Sequence, residues 1–412
     1  MNRVVITGLG TVNPLGNNVV DTWNALVQGK NGIGEITRFD STDFSVKIAG
    51  EVKNFDPLTV LDRKEIRRMD RYVQLALCSG DEAINDAGLN LSELDLSGVG
   101  VLIASGIGGI ETLENQHTIL VQKGPKKISP FLIPMMIVNI ASGQIAIKYG
   151  FKGPNYSVSS ACASSGHGLI SAMRLIERGE AEVMVAGGAE ASVTPLSIGG
   201  FSVMKALSTR NDDPATASRP FDVNRDGFVV SEGAAVLILE SLNHALKRGA
   251  KIYAEIAGAG QTCDAYHITA PDETGQGPAS AMIKAMEDAD ITPEQVDYVN
   301  AHGTSTPYND VVETTAIKLA LGQRAYEIPV VSTKSMTGHL LGAASAIEAL
   351  DVCLSMQNNL VHTTQNIIEQ DPNCDLDYVK DKNREVQLNY VLSNSLGFGG
   401  HNISIVLKKY VQ

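Results

Sequence analysis

The sequence predicts an α/β layered fold, and three observations carry that prediction. Apolar strand-like runs alternate with helix-like ones along the whole chain. A stretch of the first half, Val158-Ser159-Ser160-Ala161-Cys162-Ala163-Ser164-Ser165, is faintly echoed in the second by Val331-Ser332-Thr333-Lys334-Ser335-Met336-Thr337-Gly338. The composition, 43% hydrophobic and 19% charged over 412 residues, is that of an ordinary globular protein with ample length for a large core.

Taken in order, Val4–Ile6, Val99–Ile103, Val183–Ala186 and Val236–Leu239 read as strands. Trp23–Val27, Tyr72–Ala87 and Leu169–Arg178 carry helical spacing. The second half repeats the mixture, with strands expected at Ile252–Ile256, Val296–Asn300, Val330–Ser332, Tyr390–Ser393 and Ile403–Leu407. Lys123–Pro130, Thr209–Asp226 and Asp371–Glu385 are expected to be irregular. No Pro/Gly/Ser-rich linker divides the chain. Two similar halves, 1–250 and 251–412, would explain the echo.

Cys162 stands where a strand end feeds a helix, since Leu169, Ile170, Met173 and Ile176 follow at helical spacing. A thiol in a first helical turn meets the positive end of the macrodipole, which favours a nucleophilic thiolate. The pattern alone fits a buried structural thiol equally well. Two histidines alter that balance: His302 in Asn300-Ala301-His302-Gly303-Thr304, and His339 in Lys334-Ser335-Met336-Thr337-Gly338-His339. Each follows an apolar run and is flanked by Gly and hydroxyl residues that permit close approach.

A formal charge of −13 speaks against a global preference for nucleic acid. Five dispersed cysteines without CxxC spacing argue against a disulfide framework and a zinc cluster, and for a reducing compartment. No signal-peptide pattern or membrane-length apolar run occurs, so a cytoplasmic protein without membrane contact is expected.

Further motifs identify a family. Val4-Val5-Ile6-Thr7-Gly8-Leu9-Gly10, Ser160-Ala161-Cys162-Ala163, Ala186-Gly187-Gly188-Ala189-Glu190, Arg219-Pro220-Phe221-Asp222, Arg225-Asp226-Gly227-Phe228 and Gly397-Phe398-Gly399-Gly400 join the two histidine motifs. Together they make the chain resemble the thiolase-fold beta-ketoacyl synthases essentially end to end. The resemblance implies two pseudo-symmetric α-β-α-β-α halves in one five-layered unit. Cys162 would lie in the first and His302 and His339 in the second. It implies an acyltransferase of fatty-acid elongation: an acyl group passes to Cys162, malonyl-carrier protein loses CO2, and a 3-oxoacyl thioester forms. No metal, redox cofactor or ATP is implied. A homodimer and an acyl-carrier protein partner are.

Residue by residue, the resemblance assigns Cys162, His302, His339, Lys334 and Phe398 to catalysis, with the N–H groups of Cys162 and Phe398 as the oxyanion hole. Phe398 also matches a gate. Ile107, Phe201, Phe228, Thr304, Thr306 and Gly399 match substrate-binding positions, with Ile107 in the acyl pocket. Glu348 pairs with Lys334, and Asp264 and Asp310 match residues associated with the gating loop. Lys64, Arg67, Arg68, Lys126, Lys127 and Lys205 match basic positions for an acidic carrier protein. The spacing of Lys64, Arg67, Arg68 and Arg71 would set all four on one helix face; a merely solvated surface is the equal alternative. Leu396 stands where the family usually has Phe, His401 is a common alternative to Thr, and Ala163-Ser164 replaces the more frequent pairs after the nucleophile. Thiolases use a second Cys, and the chalcone-type enzymes an Asn where His339 stands, so both are disfavoured. Non-catalytic length-setting subunits lack the nucleophile. A polyketide ketosynthase shares the Cys-His-His set and stays the open alternative.

Overall fold

The computed structural model describes residues 1–411. The first half comprises β1 (Val4–Val12), α1 (Val19–Val27), β2 (Ile33–Glu35), β3 (Ile48–Gly50), α2 (Arg63–Ile66), α3 (Arg71–Asp86), β4 (Val99–Ala104), α4 (Ile110–Lys123), α5 (Leu132–Met136), α6 (Ile140–Tyr149), β5 (Asn155–Tyr156), α7 (Ser164–Glu177), β6 (Val183–Glu190), α8 (Pro195–Val203), β7 (Gly233–Ser241) and α9 (Leu242–Lys247). The second comprises β8 (Ala254–Cys263), α10 (Gln276–Asp288), β9 (Tyr298–Asn300), α11 (Asn309–Leu321), β10 (Val330–Val331), α12 (Lys334–Thr337), α13 (Ala344–Asn358), β11 (Leu360–Val361), β12 (Arg384–Glu385), β13 (Tyr390–Gly397) and β14 (His401–Lys408).

Ten strands share one ladder in the order β10-β9-β13-β14-β8-β1-β7-β6-β4-β5. Outward from the β8–β1 junction the halves repeat each other. β7 is antiparallel to β1 and β6, and β4 is parallel to β6 and β5. Likewise β14 is antiparallel to β8 and β13, and β9 is parallel to β13 and β10. The short edge strands β5 and β10 are therefore equivalents.

Three apolar cores separate the layers. Tyr72, Leu75 and Ile84 of α3 and Ile145 of α6 pack on one outer face. Leu169 and Met173 of α7 meet Ile347 and Leu350 of α13 between the half-sheets. Met282, Met286, Ile317 and Leu321 of α10 and α11 cover the other outer face. This is the five-layered, thiolase-like α-β-α-β-α arrangement.

The repeat extends to close approach of helix and strand. A Cβ on Gly8 or Gly10 of β1 would lie 2.3 Å from the Ala83 carbonyl oxygen or 2.0 Å from that of Ser79, both in α3. A Cβ on Gly258 or Gly260 of β8 would lie 2.6 Å from the Ala285 or 1.9 Å from the Ala281 oxygen, both in α10. Each half thus needs a Gly-x-Gly strand under its first long helix. The second pair was a sequence signal of duplication stronger than the Cys162 echo.

Two local expectations are corrected. α2 ends at Ile66, and the buried Asp70 caps the separate helix α3, its side chain accepting from the Tyr72 N–H. Residues 64–71 therefore do not form one face. Arg71 turns inward onto Glu232, with its Nε 2.7 Å from the carboxylate. Lys64, Arg67 and Arg68 stay exposed. The strand before Cys162 is also short, ending at Tyr156.

Among the described residues no helix is long and apolar enough to cross a membrane.

Candidate active site

The chain from β5 reaches α7 through a tight turn. Ala161 adopts φ +50°, a left-handed conformation a side chain rarely takes. The Ser164 hydroxyl holds the turn by accepting from the Ser160 N–H at 2.9 Å and donating to the Ala161 carbonyl at 2.6 Å. α7 begins at Ser164, so Cys162 precedes the helix rather than lying in its first turn. The expected thiolate does not follow either. Burial pushes the Cys162 thiol up to about 12, against smaller pulls from Lys334 and from the backbone N–H groups of Phe398 and Cys162. Those two N–H groups nevertheless flank the sulfur. A Cβ on Gly397 would lie 2.7 Å from the Ser160 oxygen, so only glycine lets β13 carry Phe398 this close.

The histidines arrive from the other half, His302 just beyond β9 and His339 beyond α12. Both are buried. The Cys162 sulfur and a nitrogen of each ring all lie within 4.8 Å of one another, and the ring centroids are 5.4 Å apart. Burial, then Lys334, then the neighbouring imidazole hold His302 well below the usual histidine range. Burial and Lys334 do the same to His339. Both rings are therefore neutral. The Leu341 N–H donates to His339 Nδ1 at 3.3 Å, so the ring proton sits on Nε2. That Nε2 is buried without a partner, as is Nδ1 of His302.

Lys334 is buried and ion-paired with Glu348, and its Nζ donates to the His302 carbonyl at 2.6 Å. Glu313 accepts from the N–H groups of His302 and Gly303, each at 2.7 Å. Burial pushes Glu313 and Glu348 up to about 7. Nothing in the sequence pattern marked Glu313.

Cys162, His302 and His339 open onto a cavity of about 330 Å³ lined also by Ile107, Phe201, Phe228, Thr304, Thr306 and Leu396. Phe228 packs edge-on to His339 at 5.3 Å, and Phe201 to Phe228 at 5.4 Å. The hydroxyls of Thr304 and Thr306 are 3.0 Å apart. Lys205 reaches the cavity wall, whereas Lys126 and Lys127 lie exposed after α4. Gly399 and Gly400 take φ +88° and +74°. Their turn is tied to the 264–272 loop, since the Gly399 N–H donates to Ile268 and the Asp264 N–H to Gly400, at 2.8 and 2.9 Å. Asp264 thus touches the Phe398 turn. Asp310 has other partners: it accepts from the Phe221 N–H at 2.9 Å and faces Arg225.

A divalent cation could use the spacing of the three ligand atoms. The tautomer of His339 opposes it, because Nδ1 is occupied by Leu341 and Nε2 carries the proton. The site fits a buried nucleophile facing neutral hydrogen-bond donors instead.

Comparison with known proteins identifies the family. The sequence profile of the beta-ketoacyl synthase N-terminal domain matches residues 1–245, and that of the C-terminal domain residues 253–368. The chain is 54% identical to the 3-oxoacyl-[acyl-carrier-protein] synthase 2 of Synechocystis, covering 99% of this chain and 98% of that protein. It is 51% identical to the protein of the same description from Coxiella burnetii, with the same coverage. Among solved structures, a beta-ketoacyl synthase from Burkholderia phymatum superposes with TM-score 0.93 at 35% identity over the whole of both chains. A ketosynthase of a type II polyketide system, solved with its acyl-carrier protein and bound to a hexaketide, gives 0.92 at 37% identity, again over both whole chains.

Proposed function

The chain belongs to the beta-ketoacyl synthase family, and from that membership we propose how its central cavity works. The protein is an acyltransferase that condenses malonyl-carrier protein with an acyl group in fatty-acid chain elongation. The observation that carries the mechanism is the convergence of one sulfur and two neutral imidazoles within 4.8 Å.

In the first step the Cys162 sulfur attacks the acyl thioester of the carrier protein. The oxyanion meets the N–H groups of Cys162 and Phe398; loss of one such donor costs about 3–4 kcal/mol in comparable sites. The phosphopantetheine thiol leaves with the proton that Cys162 loses. A thiol pushed up by burial is a neutral resting group, and deprotonation then accompanies attack. In the second step malonyl-carrier protein loses CO2, and the electron pair of the broken C–C bond passes to an enolate. Nε2–H of His339 donates to the enolate oxygen, and His302 is the second group on it. Lys334 and Glu348 hold this pair neutral and in place. The enolate carbon attacks the acyl-Cys162 carbonyl, the sulfur departs, and it takes up one proton from solvent, the proton the overall condensation consumes. Loss of CO2 supplies the driving force, so no metal, redox or nucleotide cofactor enters the scheme.

The partner is an acyl-carrier protein, met by Lys64, Arg67, Arg68, Lys126, Lys127 and Lys205. Thr304 and Thr306 bind its pantetheine arm, while Ile107, Phe201 and Phe228 shape the acyl pocket. Phe398 gates the second substrate through the Gly399 turn, with Asp264 bracing it. Asp310 acts at a remove, through Arg225 and Phe221. The chain works as a homodimer in the cytoplasm; the exposed edge strand β5 and the exposed Leu113, Leu120, Val121, Phe131 and Ile133 support self-association.

Intact-mass measurement after incubation with acyl-carrier protein tests the first step. The chain gains one acyl group, and Cys162→Ala gains none. A polyketide role is a second reading, favoured by the hexaketide-bound neighbour. Products that stop at one reduced-chain extension support elongation, whereas repeated condensation without release supports the polyketide reading.

A further inference from the structure

Glu190, the last residue of β6, is fully buried and has no cationic partner among its hydrogen bonds. Its whole carboxylate is engaged by two loops. Oε2 accepts from the Gly106 N–H at 2.8 Å and the Gly342 N–H at 3.1 Å. Oε1 accepts from the Ser105 hydroxyl at 3.1 Å and the Ile107 N–H at 3.3 Å. The first loop carries the acyl-pocket residue Ile107. The second is the segment in which the Leu341 N–H fixes the tautomer of His339.

The two loops meet directly at this point. A Cβ on Gly342 would lie 2.2 Å from the Gly106 nitrogen and 2.7 Å from Glu190 Oε2. A Cβ on Gly106 would lie 2.9 Å from the same oxygen. Burying an uncompensated carboxylate is costly, so its four donors must all be supplied to hold it there. A glutamine could not replace it, because its amide would present N–H groups to N–H groups.

We propose that Glu190 is a positioning residue that couples the Ile107 turn to the His339 loop, so that seating of the acyl chain beside Ile107 sets the alignment of His339 for decarboxylation. The coupling rests on the condensing function proposed above. A shift of the Ile107 turn moves the Glu190 carboxylate, and through Oε2 it moves Gly342, the residue next to Leu341, whose N–H contacts His339. The acyl chain is thereby sensed on one side of the carboxylate and answered on the other.

The test compares wild type, Glu190→Gln, Ile107→Gly and the double variant. Cys162 acylation is followed by intact mass, and CO2 release from malonyl-carrier protein by the acylated enzyme, for a short and a long acyl group. Glu190→Gln is expected to lower the ratio of CO2 release to acylation by about tenfold. It should also abolish the dependence of that ratio on acyl length, and Ile107→Gly should add nothing further to it. Equal loss of both steps at every length, or additive effects of the two substitutions, overturns the coupling. Should Glu190→Gln not fold, Ser105→Ala removes a single bond and must shift the same ratio in the same direction; an unchanged length dependence overturns the proposal. A wild type that acylates but never condenses would instead refute the function, independently of Glu190.

Discussion

The turn after β5 and the turn after β10 occupy equivalent places in the two halves, yet they do different work. Residues 157–163 cross directly from edge strand to central helix and present Cys162 just ahead of α7. Residues 332–343 take a longer route, adding the single turn of α12 before α13 begins. That insertion makes room for Lys334 and His339. Both helices converge: the Ala346 N–H donates to the Ser165 hydroxyl at 3.1 Å. One geometry thus occurs twice, and in the proposed mechanism one copy carries the nucleophile and the other an enolate-binding group. On that proposal the first half carries the sulfur that is acylated, Phe398 of the second half completes its oxyanion hole, and His302 and His339 of the second half assist decarboxylation.

Substitutions that separate the two steps probe this division most strongly. Cys162→Ala should eliminate the acyl-enzyme and lower condensation by at least about 10,000-fold, read by product formation from acyl- and malonyl-carrier protein. His339→Ala should slow CO2 release by about 100- to 1,000-fold while acylation falls by less than about tenfold. Lys334→Ala is expected to follow His339→Ala in direction and to leave acylation of Cys162 in place; a wild-type condensation rate would remove Lys334 from the account.

Stability should instead treat the halves alike. Gly10→Ala and Gly260→Ala each press a methyl into a helix backbone, and each should cost about 1–3 kcal/mol in denaturant unfolding. A large loss for one and none for the other would break the structural equivalence. Charge chemistry sharpens the contrast between the turns. Alkylation of Cys162 in the free protein should still accelerate as pH rises through 9, since burial holds the thiol near 12; a plateau reached at neutral pH would restore the thiolate reading. The imidazoles carry the opposite signature. Their folded values lie below the ordinary 6.5, so stability is full above that pH and declines below it as the unfolded chain takes up protons. The smallest effect concerns the surface: raising salt from ~50 to ~300 mM should weaken carrier-protein use a few-fold more than use of a free pantetheine thioester.

Much of this was legible in residues 4–408. Alternating runs located the principal strands, and the Cys162, His302 and His339 motifs marked a site that the fold assembles from distant segments. What local pattern could not supply was the energetics of burial. A helix tip suggested a lowered thiol, but desolvation outweighs the dipole once the turn is enclosed. The spacing of Lys64 to Arg71 suggested one helix, but Asp70 starts a new one and Glu232 draws Arg71 inward. Glu313 carries no sequence mark, and Glu190 stands in a motif that does not disclose its contacts, because both act through the backbone N–H groups they meet, a property of tertiary approach and not of neighbouring residues. Gly258 and Gly260, by contrast, repeat Gly8 and Gly10 in spacing and purpose within the sequence itself.

Release of CO2 from malonyl-carrier protein by Cys162→Ala, measured beside the Cys162→Ala/His339→Ala double variant, tests the division of labour most directly. The single variant should stay within about tenfold of wild type, and the double variant should fall by a further 100-fold or about that. If removing the sulfur alone stops CO2 release as completely as removing both groups, the two halves do not act separately.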